Sequence, residues 1–215
     1  MGHFYNDYKN LADKRTLEKL AFEYLVVDTL DKNLKGPSKS KQVTGLDMES
    51  YTKDVFPSLI YTFKYNSEHI DKQGQYEFRD YVPIIFCMNV DKDYVYGINF
   101  NLLPNDVRAK FLDVIYDTNS HFYSYGIYNE GLQLSNVLMT HLMKPDLRQN
   151  LLDIFDMQVG VKVSSAYRMY KKKCIENIRL IEYDVWDYIP SLVFTDSIRG
   201  ANLAEVQKSI IESSK

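Results

Sequence analysis

VFPSLIYTFKYNSEHIDKQGQYEFRDYVPIIFCMNVDKDYVYGINFNLLPNDVRAKF, residues 55–111, holds three strand-like runs that lead into a proline-started helix. From Leu59 to Tyr65 hydrophobic and polar residues alternate, which is the period of a half-buried strand. Val82 to Val90 is almost continuously apolar after Pro83, and Tyr94 to Phe100 forms the third run. Only Asp91, Lys92 and Asp93 separate the second and third runs, a hairpin spacing filled with turn-prone residues, so the two are expected to pair antiparallel. The polar stretch HIDKQGQYEFRDY adds an excursion or a short extra strand between the first two. Several short antiparallel strands of this kind predict an α+β fold with a small barrel-like (SH3-like) antiparallel sheet, surrounded by helices and carrying terminal helical arms.

Working outward, Pro104 falls near the first turn of a helix whose apolar positions are Val107, Phe111, Val114 and Ile115; the missing proline N–H is not needed there. Further helices are expected over Leu132–Met143 and, after Pro145, over Leu147–Phe155. Ser164 and Ser165 are read as caps of a helix from Ala166 to Lys173, and IRLIEY, 178–183, as a returning strand. After Gly200, Asn202 and Glu205 stand at capping-box spacing before Leu203, Val206, Ile210 and Ile211. Near the start, Leu17, Leu20, Ala21, Tyr24 and Leu25 recur at helical spacing, and DKNLKGPSKSKQVTG, 31–45, has the composition of a basic linker. The chain thus divides into a helical arm (1–30), a flexible basic linker (31–50), an α+β core (51–195) and a C-terminal helix (196–215), the arm docking either on its own core or on a neighbouring subunit.

A chain of 215 residues with 45% hydrophobic and 26% charged residues can bury a sizeable core and is not disordered by composition. Its formal charge of -3 argues against a dedicated nucleic-acid binder. Tyrosine is abundant, at 18 residues against a single Trp, and its apolar face with a polar tip suits half-buried strands and wet subunit contacts alike. Cys87 and Cys174 form no C-x-x-C pair and are expected as reduced thiols. No stretch approaches the length of a membrane span and no secretory leader is recognised, so synthesis in a cytoplasm and no membrane partner are expected.

Asn89, Asp91 and Asp93 superficially match a calcium loop, but Tyr94 stands where the sharp turn needs glycine and Phe100 where a bidentate acid is required. A solvated hairpin turn is the better reading. His3, His69, His121 and His141 show no metal-ligand spacing, and Cys87 sits in an apolar run where a thiol is inert. Walker, G-x-G-x-x-G and G-x-S-x-G patterns are lacking, so no catalytic residue, cofactor, metal or small-molecule substrate is assigned and the chain is read as a non-enzyme. The basic run Arg168, Lys171, Lys172, Lys173 and Arg179, interleaved with Tyr167 and Tyr170, is the candidate for phosphate or partner contact, with Arg168, Lys171 and Lys172 expected on one helix face.

The segments IYTFKY, DYVPIIFCMNV, YGINFNLLPNDVRAKFL and CIENIRLIEYDVWDYIPSLVF resemble small virion or assembly proteins of tailed bacteriophages, of the T-even-like myovirus type. The matching positions are Tyr61, Phe63, Tyr65, Asp80, Pro83, Gly97, Asn99, Leu103, Pro104, Arg108, Trp186 and Phe194, with Pro190 one residue short of its spacing. The resemblance covers roughly 55–195. It implies a virion-located structural subunit of the head-tail connector, tail or baseplate region. Its partners are other virion proteins and copies of itself; a phage factor that binds DNA ends or packaged DNA is the alternative. In this scaffold Gly97 permits close backbone approach, Asn99 binds nearby backbone, and Arg108 ties the helix to the strands.

Overall fold

The computed structural model describes residues 3–10, 55, 57–66, 78–123, 144–181, 183–192, 198–200, 207–208 and 211–212. Its strands are β1 (Ile60–Tyr65), β2 (Phe78–Asp80), β3 (Ile84–Val90), β4 (Tyr94–Asn99), β5 (Tyr167–Lys171), β6 (Ile175–Leu180) and β7 (Ile198–Gly200). The helices are α1 (His3–Asn10), α2 (Asn105–Tyr123) and α3 (Pro145–Val159), with 3-10 turns at Phe100–Leu102, Val163–Ala166, Lys172–Cys174 and Tyr183–Ser191. This is an α+β fold. The five-stranded sheet runs β5-β4-β3-β1-β6 with antiparallel neighbours throughout, and β2 pairs with β7 in a separate two-stranded ribbon.

The three strands, their hairpin, the short strand before Pro83 and the helix after Pro104 stand where the sequence pattern puts them. Strand β3 reads as a continuous apolar run because both of its faces are covered. Ile84, Phe86 and Met88 join Ile60, Ile98, Phe111 and Phe155 on the helix side. Ile85 and Cys87 join Tyr61, Phe63, Val95 and Tyr170 on the other. On that second face the rings of Phe63, Tyr65 and Tyr170 meet edge to face at centroid distances of 5.1–6.3 Å.

The sheet curls strongly. Strands β5 and β6 are its opposite edges, yet only Lys172–Cys174 connects them. The four steps from Lys171 to Ile175 span at most about 14 Å, whereas five flat strands would put the edges about 19 Å apart. Two register shifts help the bend: one between Cys87 and Asn89 on β3, the other where Asn177 of β6 takes a φ of 52° opposite the Thr62–Lys64 stretch of β1. At the tight end the Asn66 N–H donates to the Cys174 carbonyl at 2.9 Å, and the Lys171 N–H reaches the Tyr65 hydroxyl at 3.3 Å. The barrel-like sheet expected from the sequence stays open, because β5 and β6 do not pair with each other.

Three further expectations are corrected. Residues 167–171 form an edge strand, not part of a helix from Ala166 to Lys173: Tyr170 alone of β5 is buried, and it fills the gap beside Phe63 and Tyr65 that only a strand register allows. The segment 196–215 is not wholly helical, since Ile198–Gly200 is a strand; Gln207, Lys208, Ile211 and Glu212 are helical. The strand expected at 178–183 instead begins at Ile175 and ends at Leu180. The helix at 17–25, the linker at 31–45 and the helix at 132–143 lie outside the described residues.

The amino-terminal helix docks on its own core. Phe4 is buried against Tyr116 of α2 and Trp186. The Asp113 carboxylate on α2 accepts from the N–H groups of Phe4 and Tyr5 at 2.8 and 3.1 Å, satisfying donors that a helix start leaves open. Helix α3 starts on Pro145 and stops at Gly160, whose φ of 74° suits the left-handed cap.

Candidate functional site

The edge strand β5 and the turn after it carry most of the basic candidates. Register places Lys171 opposite Tyr94, Met169 opposite Tyr96 and Tyr167 opposite Ile98, so these six side chains share the helix-side face. Beyond Ile98 that face opens: Tyr94 and Tyr96 are only half-buried, and Met169 is 55% exposed. The rings of Tyr96 and Tyr167 lie nearly parallel, 6.4 Å apart. Arg168 projects to the opposite side and donates to the carbonyls of Ser165 and Tyr167, both at 2.8 Å.

The basic run is therefore split. Lys172 and Lys173 are exposed in the turn, Lys171 and Arg168 lie on opposite faces of β5, and Arg179 sits on the far edge of the sheet, opposite Thr62 of β1. The expected shared helix face is not formed. The hairpin acids crowd the same corner, with the Lys172 N–H donating to the Asp93 carbonyl at 2.8 Å. The Asp91 carboxylate accepts from the Tyr96 hydroxyl at 2.7 Å and from the N–H groups of Asp93 and Tyr94, as a tight turn requires. The Tyr96 bond, the backbone donors and the charge of Lys172 hold Asp91 below the usual carboxylate range. Donating to Asp91 pushes the Tyr96 phenol up to about 12.

A cleft of about 300 Å³ adjoins the start of β5, lined by Arg148, Gln149, Leu152, Ser164 and Tyr167. Its polar groups are already engaged: Ser164 donates to Asp156, and Arg148 hydrogen-bonds Tyr167, whose phenol is raised mainly by burial.

The scaffold residues gather at the other end of β4. Gly97 faces the backbone of β3, where an added Cβ would stand 2.5 Å from the Phe86 carbonyl oxygen. The Asn99 oxygen accepts from the Asn101 N–H at 2.9 Å, and its amide donates to Asp80 at 2.7 Å and to the Tyr170 hydroxyl at 2.9 Å. Asn101 adds a second amide to Asp80 at 2.8 Å, and burial pushes the Asp80 carboxyl up to about 6 despite these donors. Pro104 precedes α2 and accepts the N–H of Arg108. The buried Arg108 guanidinium donates to the carbonyls of Phe100, Leu103 and Leu192 at 2.6–2.8 Å, binding α2 to the turn after β4 and to the end of the 183–191 segment. Burial lowers it to about 10. Trp186 is buried and donates to the Ile181 carbonyl at 3.1 Å.

Cys87 is fully buried, and burial lifts its thiol far above the ordinary range, so it stays protonated. Among the described residues, metal-ligand chemistry converges at His3, Asp7 and Asp187. Sequence reading missed Asn101, Asp113 and this trio, because nothing in local spacing links residues that meet across the fold. No protein-family model, curated protein or solved structure matches the chain.

Proposed function

We propose that the chain is a non-enzymatic structural subunit of a tailed-phage virion, placed in the head-tail connector, tail or baseplate region and made in the host cytoplasm. It acts through contacts with other virion proteins and with copies of itself. The observation that carries this reading is the β5 edge: an outermost strand with a half-exposed Met169 beside Tyr94, Tyr96 and Tyr167. Edge strands and adaptable Met and Tyr side chains suit subunit contacts. The sequence motifs quoted above supply the phage assignment, and the curled meander with its returning last strand supports an SH3-like description of the sheet. No described helix is long and apolar enough to cross a membrane. Mass spectrometry of purified particles and the oligomeric state of the isolated chain test the reading. A strictly monomeric chain absent from particles overturns it.

The alternative, a factor binding DNA ends or packaged DNA, draws on the exposed Lys172 and Lys173 in the turn after β5. Asp91 and Asp93 at the same corner weaken it. It requires a salt-dependent DNA affinity that is lost when Lys171, Lys172 and Lys173 are neutralised.

A further inference from the structure

Helix α1 and the 183–191 segment bring one histidine and two aspartates together on the surface. His3 and Asp7 are one helical turn apart, with Nδ1 of His3 2.9 Å from Oδ2 of Asp7. Asp187 joins them from the 3-10 segment, and the three ligand-capable atoms lie within 4.8 Å of one another. The buried layer beneath enforces this meeting. Phe4, next to His3, packs on Trp186, next to Asp187, with ring centroids 6.2 Å apart. Asp113 fixes the start of the helix through the N–H groups of Phe4 and Tyr5. Both backbone segments are thus held from below while their ligand groups face outward. The Asp7 and Asp187 carboxylates therefore sit close together, with ligand atoms within 4.8 Å, and a cation between them would relieve their repulsion.

We propose that His3, Asp7 and Asp187 bind a divalent transition-metal ion of the Zn²⁺ class. One imidazole nitrogen and two carboxylate oxygens, with solvent in the remaining position, form an open three-ligand set that zinc accepts. Bond lengths of about 2.0–2.2 Å put tetrahedral ligand atoms about 3.3–3.6 Å apart. Small side-chain rotations from the present spacing reach that geometry. Calcium and magnesium prefer all-oxygen shells, so the histidine selects against them. The ion fastens the amino-terminal helix to the core from the solvent side, opposite Phe4.

The test is calorimetric titration of the full-length protein with Zn²⁺ in a buffer free of chelators, repeated with His3→Ala and Asp187→Asn. A saturable site is expected in the wild type, weakened at least about tenfold in each variant, since even outer-shell changes cost that much. Zn²⁺ should also raise the wild-type Tm, and both variants should lose this rise. The Asp187 dependence separates the site from chelation by His3 and its neighbouring backbone alone. All three side chains are exposed, so circular dichroism should be unchanged. Zinc-edge X-ray absorption of the wild type provides a check without variants: nitrogen and oxygen at about 2.0–2.1 Å are expected, whereas sulfur at about 2.3 Å overturns the assignment. Absence of saturable binding, or an affinity unchanged in either variant, also overturns it.

Discussion

Oδ2 of Asp80 accepts the side-chain amide of Asn99 at 2.7 Å, joining the ribbon strand β2 to the end of β4. Asn101 supplies a second amide at 2.8 Å, and Oδ1 takes the N–H of Val82 at 3.2 Å. These groups all donate, so they favour the carboxylate. Burial opposes them and prevails, leaving the group near 6.

The Asp80 carboxyl is raised from 3.8 to about 6 on folding, so the folded state binds the proton more tightly than the unfolded chain. This contribution to stability is complete below pH 3.8 and is lost as pH rises through about 6. The loss amounts to roughly 3 kcal/mol, at about 1.4 kcal/mol per pH unit. Urea unfolding between pH 4 and 7 should show it, and Asp80→Asn should flatten the curve. An unchanged profile in the variant would assign the dependence to another group.

Gly97 leaves no room for a side chain against Phe86. Gly97→Val should cost at least about 1–3 kcal/mol by forcing β3 and β4 apart. Chemical denaturation measures this directly, and a variant as stable as the wild type rejects the close-approach role. If the sheet edge makes the assembly contacts, the variant should also enter particles less efficiently.

Arg108 serves carbonyls from two distant parts of the chain, 100–103 and 189–192. Arg108→Met keeps the apolar stem but removes a buried charged donor: the Phe100 and Leu103 carbonyls keep the Leu103 N–H and the Gln207 amide, whereas Leu192 loses its 2.6 Å bond, at a cost of about 1–3 kcal/mol. Arg108→Lys should recover only part of it, because an ammonium cannot reproduce the planar fork. Equal unfolding midpoints for wild type and Arg108→Met would contradict this account.

Phe4 belongs to the core, although the segment around it is polar. Phe4→Ala should lower stability by about 3–5 kcal/mol, and Asp113→Ala by about 1 kcal/mol through loss of the helix cap. Deleting residues 1–45 would therefore remove core along with the arm. Thermal melts distinguish this from a dispensable arm, for which both substitutions would be silent.

The strands of the central block were legible because alternation, a hairpin-length DKD turn and a proline before α2 are local signals. Strand β5 was not. YRMYK buries only Tyr170, so it has no stripe of its own, while Ser164 and Ser165 imitate a helix cap and the lysines and arginines are good helix formers. Pairing with β4 overrides that preference. In the same way HFYNDYKN shows a single buried residue, too little for an apolar period to mark α1. Arg168, Lys172 and Lys173 are exposed, but the arrangement of the basic run depended on the strand register that local pattern misassigned.

The sequence alone determined the α+β class, the β3–β4 hairpin, the starts of α2 and α3 and the inert surroundings of Cys87, because periodicity, turn chemistry and capping act between residues a few positions apart. Tertiary structure decided that the sheet curls without closing, that β5 lies at its edge, and that Asp80 meets Asn99 and His3 meets Asp187. Those relations depend on packing between segments far apart in the chain, where burial and register, rather than local spacing, set which side chains meet.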